Sequence, residues 1–437
     1  MSKPLHVNRI SLGKASAILA AMIFLSRVAG FGRTLLTSHF YGSGPEANAF
    51  NAAFAIPEMM SIVIAGGALA TGFVPTFSAY LANEQHDEAR HTFAALLSIL
   101  FVGAGIFTLA FIGLTFTPLI AFIAPDSAPL ELYVANLRLL LVGQFFFILG
   151  GVFTGAFNSL RSFWLPALQP VFFNVGIIAF GLFGALSGQS IIWQSYGAIA
   201  GAFLGSILLQ APFAARAGLS LRPRFDFGDV GVKRVLGALV PVFFGLASGR
   251  ILSLSLPLML APDTTAVMNA SRLAILPLEL LASGSAIAIF PTLSQLAAQG
   301  KTDEVRTQLF ALLRQVLKRI GAATVLLLLV AFPLVRLLFQ HGKFSGGDAN
   351  LTAQVLMCAV LALPGLAVQQ LLARGFIALG DTKTPTLAGM GAMLGFGALA
   401  ALFAPFGTLG ITLASTLAVS VLAGVLWKTL EKKLGDL

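Results

Sequence analysis

Residues 26–75 read SRVAGFGRTLLTSHFYGSGPEANAFNAAFAIPEMMSIVIAGGALATGFVP, an apolar stretch that nevertheless carries Arg27, Arg33 and Glu58. A charged side chain inside a bilayer is costly, so it normally faces a cavity or a partner of opposite charge. Glycine and proline residues interrupt the same stretch, and interrupted helices at membrane depth are typical of binding sites in transporters. The stretch therefore predicts broken membrane helices that line a functional cavity.

The composition of the whole chain extends this prediction. Of its 437 residues, 57% are hydrophobic and only 10% are charged, whereas soluble domains have about 25% charged residues. Apolar runs of about 20 residues recur along the chain, as expected for membrane helices. The predicted fold is an all-α polytopic membrane protein with about twelve transmembrane helices, in two six-helix lobes around a central cavity. The expected spans are 15–40, 47–79, 92–122, 131–158, 164–187, 192–215, 234–260, 264–298, 308–339, 350–379, 384–404 and 407–428.

A polar connection in the middle of the chain predicts the boundary between the lobes. It gives an N-terminal lobe over 1–216, a cytoplasmic linker over 217–233 and a C-terminal lobe over 234–437. Similar helix-turn-proline patterns follow Gly143 and Gly365, which suggests that the two halves are repeats. The segment 301–319 is basic and amphipathic, with Val305, Leu309, Leu312 and Val316 on one face, and is predicted to be an interfacial helix.

The distribution of Lys and Arg predicts the topology. Nineteen of these residues fall in connections on the side of the N-terminus, and only Arg336 and Lys343 fall on the other side. Basic residues concentrate in cytoplasmic loops of membrane proteins. Both termini are therefore expected in the cytoplasm. The same rule accounts for the net charge of +10 without a nucleic-acid partner.

The remaining basic residues lie within or at the ends of spans and indicate an anionic substrate. They outnumber the embedded acids, chiefly Glu58 and Glu279, and the guanidinium fork matches a phosphate group in a bidentate way. Glu58 is expected to neutralise one of the arginines, and Arg250 either lines the site or pairs with Glu279. The embedded bases are Arg27, Arg33, Arg138, Arg250, Arg272 and Arg374.

The sequence offers little support for a metal site, a disulfide or nucleotide hydrolysis. The histidines show no metal-ligand spacing, and the single cysteine, Cys358, excludes an intramolecular disulfide. No phosphate-binding loop, nucleotide fingerprint or nucleophile triad is present. We therefore expect no cofactor, no metal and no ATP hydrolysis by this chain.

Several segments resemble the MurJ/MviN family of lipid II flippases, which act in peptidoglycan synthesis. They occur in the family's order and extend over nearly the whole chain: the stretch that begins at Ser26, NSLRSFWLPALQPVFFNVGII, SRLAILPLELLASGSAIAIFPTLSQ, LFQHGKF and RGFIALGDTKTPT. The resemblance implies the fold of the broader multidrug, oligosaccharidyl-lipid and polysaccharide exporter superfamily. It also implies that the chain moves undecaprenyl-diphosphate-linked muropeptide to the outer leaflet of the bacterial cytoplasmic membrane.

The resemblance further implies a set of substrate-binding residues: Ser26, Arg27, Arg33 and Arg272, which match the family's pattern. Where the family usually has an aspartate, an arginine pair and a glutamate, this chain has Asn48, Ser61 with Ile62, and Gly66. The family usually has fourteen helices, and this chain is expected to have about twelve.

The function expected from the sequence is a lipid II flippase that works by alternating access. Its expected partners are lipid II, membrane lipids and cell-wall synthesis proteins. Two alternatives stay open at this point: a flippase or exporter for another prenyl-linked glycan or a drug, and a non-transporting membrane scaffold for cell-wall synthesis.

Overall fold

The structure is a computed structural model that describes residues 12–126, 128–160 and 162–435. The described chain is 86% helical and contains no strand. By length and composition, seven of its helices can cross a membrane, or nine if two bent pairs are counted as single spans. The predicted fold class, an all-α polytopic membrane protein, is confirmed. Lys3, Arg9 and Arg161, which contribute to the charge asymmetry, lie outside the described residues.

The described helices group into twelve segments separated by turns. These are α1 (Leu12–Tyr41), α2 (45–82), α3 (His86–Leu114), α4 (Leu130–Ser159), α5 (Trp164–Leu186), α6 (Ile192–Arg216), α7 (230–260), α8 (264–298), α9 (Thr302–Phe339), α10 (346–378), α11 (Lys383–Phe403) and α12 (Gly407–Gly435). Their number is consistent with the expected twelve spans. Most segments begin and end within a few residues of the predicted positions, because the apolar runs define them.

The stretch 26–75 contains most of an interrupted helix, as its glycine and proline residues predict. Segment α2 contains α-helices at Pro45–Ala53 and Ala55–Met60, then π-helical geometry over Ser61–Phe73, then an α-helix at Val74–Ala82. Segment α7 bends by 52° and α10 by 40°. Such breaks release backbone carbonyl groups from the regular helical pattern, so other groups must satisfy them within the membrane.

Two helix crossings depend on the absence of a side chain. A Cβ atom at Gly72 of α2 would lie 2.7 Å from the backbone nitrogen of Val235 in α7. A Cβ atom at Gly176 of α5 would lie 2.9 Å from the Cα atom of Gly201 in α6. Small residues let membrane helices approach closely in this way.

The chain forms two compact units, and the boundary between them lies between Leu239 and Val240, inside α7. The core of the first unit contains buried aromatic side chains such as Phe73, Phe93 and Phe157. The expected linker 217–233 lies within this first unit. The lobe boundaries given by the sequence stay a prediction.

Segment 301–319, which the sequence predicts to be an interfacial helix, is helical, and its place at the membrane surface stays a prediction. It is the first half of α9, a continuous helix of 38 residues from Thr302 to Phe339. At 1.5 Å per residue a helix of this length extends well beyond a bilayer core of about 30 Å. The expected apolar face is also corrected at one position, because Leu313 is buried and Leu312 is only half-buried. The buried face packs on protein, with Leu309 next to Gly375 of α10 and Phe310 next to Trp427 of α12.

Candidate substrate-binding residues

Arg33 of α1 is buried within the first unit. Its side chain is only 4% exposed, and its guanidinium carbon lies 4.7 Å from the centre of the Phe54 ring in α2. Phe54 in turn packs edge to face against Phe50 and Phe173. A desolvated cation over an aromatic face is stabilised by the ring quadrupole. This packing gives Arg33 a partner inside the protein, at the depth where the sequence predicted a charge.

The other α1 candidates lie differently. Ser26 is half-buried and Arg27 is exposed. Six residues along a helix correspond to a rotation of about 120° between side chains, so Arg27 and Arg33 point to different sides of α1. The structure therefore does not put these two arginines on one face.

The α2 candidates are a buried amide and a half-buried carboxylate. Asn48 is 5% exposed, and its Nδ2 atom donates to the backbone oxygen of Ser43 at 3.2 Å. This hydrogen bond ties the start of α2 to the turn that follows α1. Glu58 is half-buried, and within the described residues its carboxylate has no ion pair or hydrogen bond. The expected neutralisation of an arginine by Glu58 stays a prediction.

In the second unit, Arg250 of α7 faces Glu279 of α8, with 4.0 Å between Nη2 and Oε1. Their side chains are 24% and 23% exposed. Arg250 also lines a small cavity of about 20 Å³, together with hydroxyl groups of Ser271 and Thr412. A cavity of this size has room for about one water molecule. The arrangement favours the pairing role that the sequence left open for Arg250.

Arg272 lies on α8 two turns before Glu279, so the two side chains share one face of the helix. Segment α8 begins at an N-cap, Asp263, whose carboxylate accepts from the backbone nitrogen of Ala266 at 2.8 Å. Arg272 is half-buried, yet its Nε atom is fully buried and has no hydrogen-bond partner among the described residues. A buried donor without a partner is rare in native proteins and calls for an explanation such as a missing ligand or water.

Charge-based reasoning missed a set of buried amide side chains. Gln194 accepts from the Thr37 hydroxyl at 2.8 Å. Gln369 donates at 2.9 Å to the Gly245 carbonyl, in the π-helical part of α7. Gln369 is thus a satisfied donor in an apolar segment, whereas only the oxygen of the Gln194 amide is bonded and its Nε2 atom has no partner within the described residues. Gln in an otherwise apolar span was the signal that could have found them.

Gln144 is informative about a departure from the family's pattern. Its Nε2 atom donates at 2.9 Å to the hydroxyl of Ser61, the position at which the resemblance implies an arginine. Here α2 and α4 are joined by a neutral hydrogen bond.

The sequence of this chain matches a known protein family and several of its members. The sequence model of the family described as lipid II flippase MurJ matches residues 37–436. The lipid II flippase MurJ of Burkholderia cenocepacia is 27% identical over 399 residues, covering 88% of this chain and 77% of that protein. A probable lipid II flippase MurJ of Vibrio cholerae is 26% identical over 438 residues, covering 96% and 82%.

Solved structures show the same fold. A lipid II flippase MurJ in an inward closed conformation matches with a TM-score of 0.77 at 21% identity, covering 95% of this chain and 87% of that one. An inward-facing multidrug resistance MATE family transporter matches with a TM-score of 0.75 at 14% identity, covering 96% and 98%. The chain thus shares its fold with both of these proteins. Since the family model extends over nearly the entire sequence, this multi-pass membrane protein belongs to the lipid II flippase MurJ family.

Proposed function

We propose that this chain moves lipid II across the cytoplasmic membrane by alternating access. Membership of the MurJ family supports the substrate, and the MurJ and MATE fold supports a transporter. The observation that carries the role of the site is the buried Nε atom of Arg272, which lacks a protein partner in the described chain. A diphosphate oxygen is the kind of acceptor that would satisfy this donor.

In this proposal Arg272 contacts the diphosphate, Arg27 and Arg33 contact it at successive depths along α1, and the prenyl tail stays in the lipid. Ser26 and Asn48 provide neutral polar groups near the path of the headgroup. Glu58 balances the positive charge, and Arg250 acts through its pair with Glu279. Inward-facing and outward-facing states interconvert by movement of the two halves, and the substrate shifts the equilibrium by binding them differently.

Three further features complete the proposal. The chain does not hydrolyse ATP, because its sequence has no nucleotide-binding motif. Both termini are cytoplasmic, because the Lys and Arg residues are strongly asymmetric. Its partners are membrane lipids and cell-wall synthesis proteins, and it has no nucleic-acid partner.

The test is complementation of a bacterial strain depleted of its own lipid II flippase. Growth with the parent chain and failure with Arg272→Ala at equal membrane levels would support the proposal. The likeness to a MATE transporter favours a second candidate, an exporter of another amphipathic compound. That candidate predicts no rescue of growth, together with arginine-dependent transport of a different substrate. A non-transporting scaffold predicts no rescue of growth and no arginine-dependent transport of any substrate.

A further inference from the structure

The linker between α6 and α7 is held against the start of α3. Two of its carboxylates and two of its backbone groups bond to side chains in the first four turns of this helix, which fixes the backbone of the linker without any regular secondary structure. The contacts are Arg90 Nε to the Gly218 oxygen at 2.9 Å, the Arg224 nitrogen to Ser98 Oγ at 2.8 Å, His91 Nε2 with Asp226 Oδ2 at 2.7 Å, and Thr92 Oγ1 to Asp229 Oδ2 at 2.7 Å.

The linker side chains alternate in character. Odd positions from 221 to 227 are apolar and even positions are polar, as expected for an extended amphipathic segment. The residue before a proline is also biased toward extended conformations, which suits Arg222. The apolar series is exposed: Leu221 at 41%, Phe225 at 60%, Phe227 at 63%, and Pro223. Two exposed phenylalanines this close together indicate an apolar environment outside the protein.

The polar side of the linker closes a cleft of about 510 Å³ against α3. The cleft is lined by three guanidinium groups, from Arg90, Arg222 and Arg224, and two carboxylates, from Asp87 and Glu88. Arg90 is paired with Asp87 at 2.8 Å. Neither Arg222 nor Arg224 has a side-chain hydrogen bond or ion pair with a described residue. The net lining charge is therefore plus one, with two guanidinium groups available to a ligand.

We infer that the linker is a membrane-docking edge with a bound anionic phospholipid. Phe225 and Phe227 insert among the acyl chains of the adjacent leaflet. Arg222 and Arg224 hold the phosphodiester of one lipid in the cleft, where its single negative charge balances the lining. The inference does not depend on which substrate the protein transports.

The position of the linker argues for lipid as the occupant. It joins two candidate membrane spans, of which one ends at Arg216 and the other begins at Val230. A short connection between two spans lies at headgroup level, where basic and aromatic side chains favour anionic lipid. Exposed apolar side chains continue from Phe227 along the start of α7, at Val230 and Leu236. The apolar edge of the linker is thus continuous with the surface that faces lipid.

A depth measurement tests the apolar edge. Phe227→Cys in a Cys358→Ala background is labelled with bimane and placed in nanodiscs. Quenching by doxyl groups on lipid chains and poor quenching by aqueous iodide are expected. The matched control is Gln299→Cys, an exposed polar position in the turn between α8 and α9, where the opposite pattern is expected. If bimane at position 227 were quenched by iodide and not by doxyl lipids, the proposal that this edge docks in the membrane would be wrong.

A binding measurement tests the lipid. Native mass spectrometry counts phosphatidylglycerol retained by the protein from phosphatidylcholine nanodiscs that contain it. The Arg222→Gln/Arg224→Gln variant should bind it about thirtyfold more weakly, because each basic residue near an anionic surface contributes about 1 kcal/mol. The control, Arg314→Gln/Lys318→Gln, removes the same charge from exposed positions of α9 and should retain the lipid.

The alternatives give different results. Equal loss in both variants would mean nonspecific attraction, and displacement by inorganic phosphate at the concentration of the lipid would mean a free-anion site. The assignment would also be overturned if the Arg222→Gln/Arg224→Gln variant retained phosphatidylglycerol. It would likewise be overturned if the linker label were protected from iodide only when a soluble protein is added.

Discussion

Replacement of Arg272 by alanine should reduce transport without harming the fold. The Nε atom of Arg272 is buried and has no partner in the described chain, so the substitution breaks no protein hydrogen bond at that atom. The substitution removes the packing of the half-buried Arg272 stem, so a modest loss of stability of about 1 kcal/mol is expected. If the diphosphate accepts from this group, one charge-assisted hydrogen bond of about 1.5–3 kcal/mol is lost. The transport rate should then fall about 10- to 150-fold.

The assay is flipping of lipid II in proteoliposomes, with thermal unfolding and membrane insertion measured on the same samples. Arg272→Lys keeps the charge but loses the planar fork, so an intermediate rate is expected. The control is Arg250→Ala, which removes the partner of Glu279 and should lower stability as well as transport. Transport at the parent rate by inserted Arg272→Ala would refute the phosphate-contact argument, whatever the behaviour of Arg250→Ala.

Three further predictions concern other parts of the chain. Arg33→Ala should destabilise the protein by about 1–2 kcal/mol through loss of the Phe54 contact, seen as a lower unfolding temperature; unchanged stability would mean that the contact contributes nothing. In a cysteine-free variant, Gln189→Cys should react with an impermeant maleimide from outside, and protection there would reverse the topology. Burial raises the pKa of Asp381, but hydrogen bonds from Lys433 and Thr384 lower it by a larger amount, so the pKa lies below its usual value. The ion pair with Lys433 should therefore stabilise the fold above about pH 4 and be lost as the pH falls through the lowered pKa; Asp381→Asn should remove this pH dependence of the unfolding temperature.

The sequence predicted the helical segments well and their contacts poorly. Apolar runs define α4 at Leu130–Ser159 and α5 at Trp164–Leu186 within a residue of the expected positions, because length and hydropathy are local properties. The basic, amphipathic first half of α9 predicts a helix at the membrane surface, but not the packing of its apolar face on α10 and α12. The local pattern alone does not distinguish an apolar face that contacts lipid from one that contacts protein.

The candidate site shows the same limit. The sequence located Arg33 in a span, but not the Phe54 ring that covers its guanidinium group. It also gave no sign that Gln144 would bond to Ser61, a residue 83 positions away. Contacts of this kind depend on how helices are brought together, and each residue type alone is compatible with many partners. The sequence identifies the charged residues within the spans, whereas the packing of the helices determines which of them already have a partner in the protein.

Arg33 and Arg272 therefore differ in how readily each can bind a substrate. Arg33 is desolvated and covered by Phe54, so a diphosphate would have to displace an existing contact to reach it. Arg272 has a buried donor with no protein partner in the described chain, so a diphosphate would complete its hydrogen bonding. An interaction contributes to transport only where its strength differs between states of the cycle. On this reasoning Arg272 makes the stronger contact with the substrate, and Arg33 sets the position of α1 against α2.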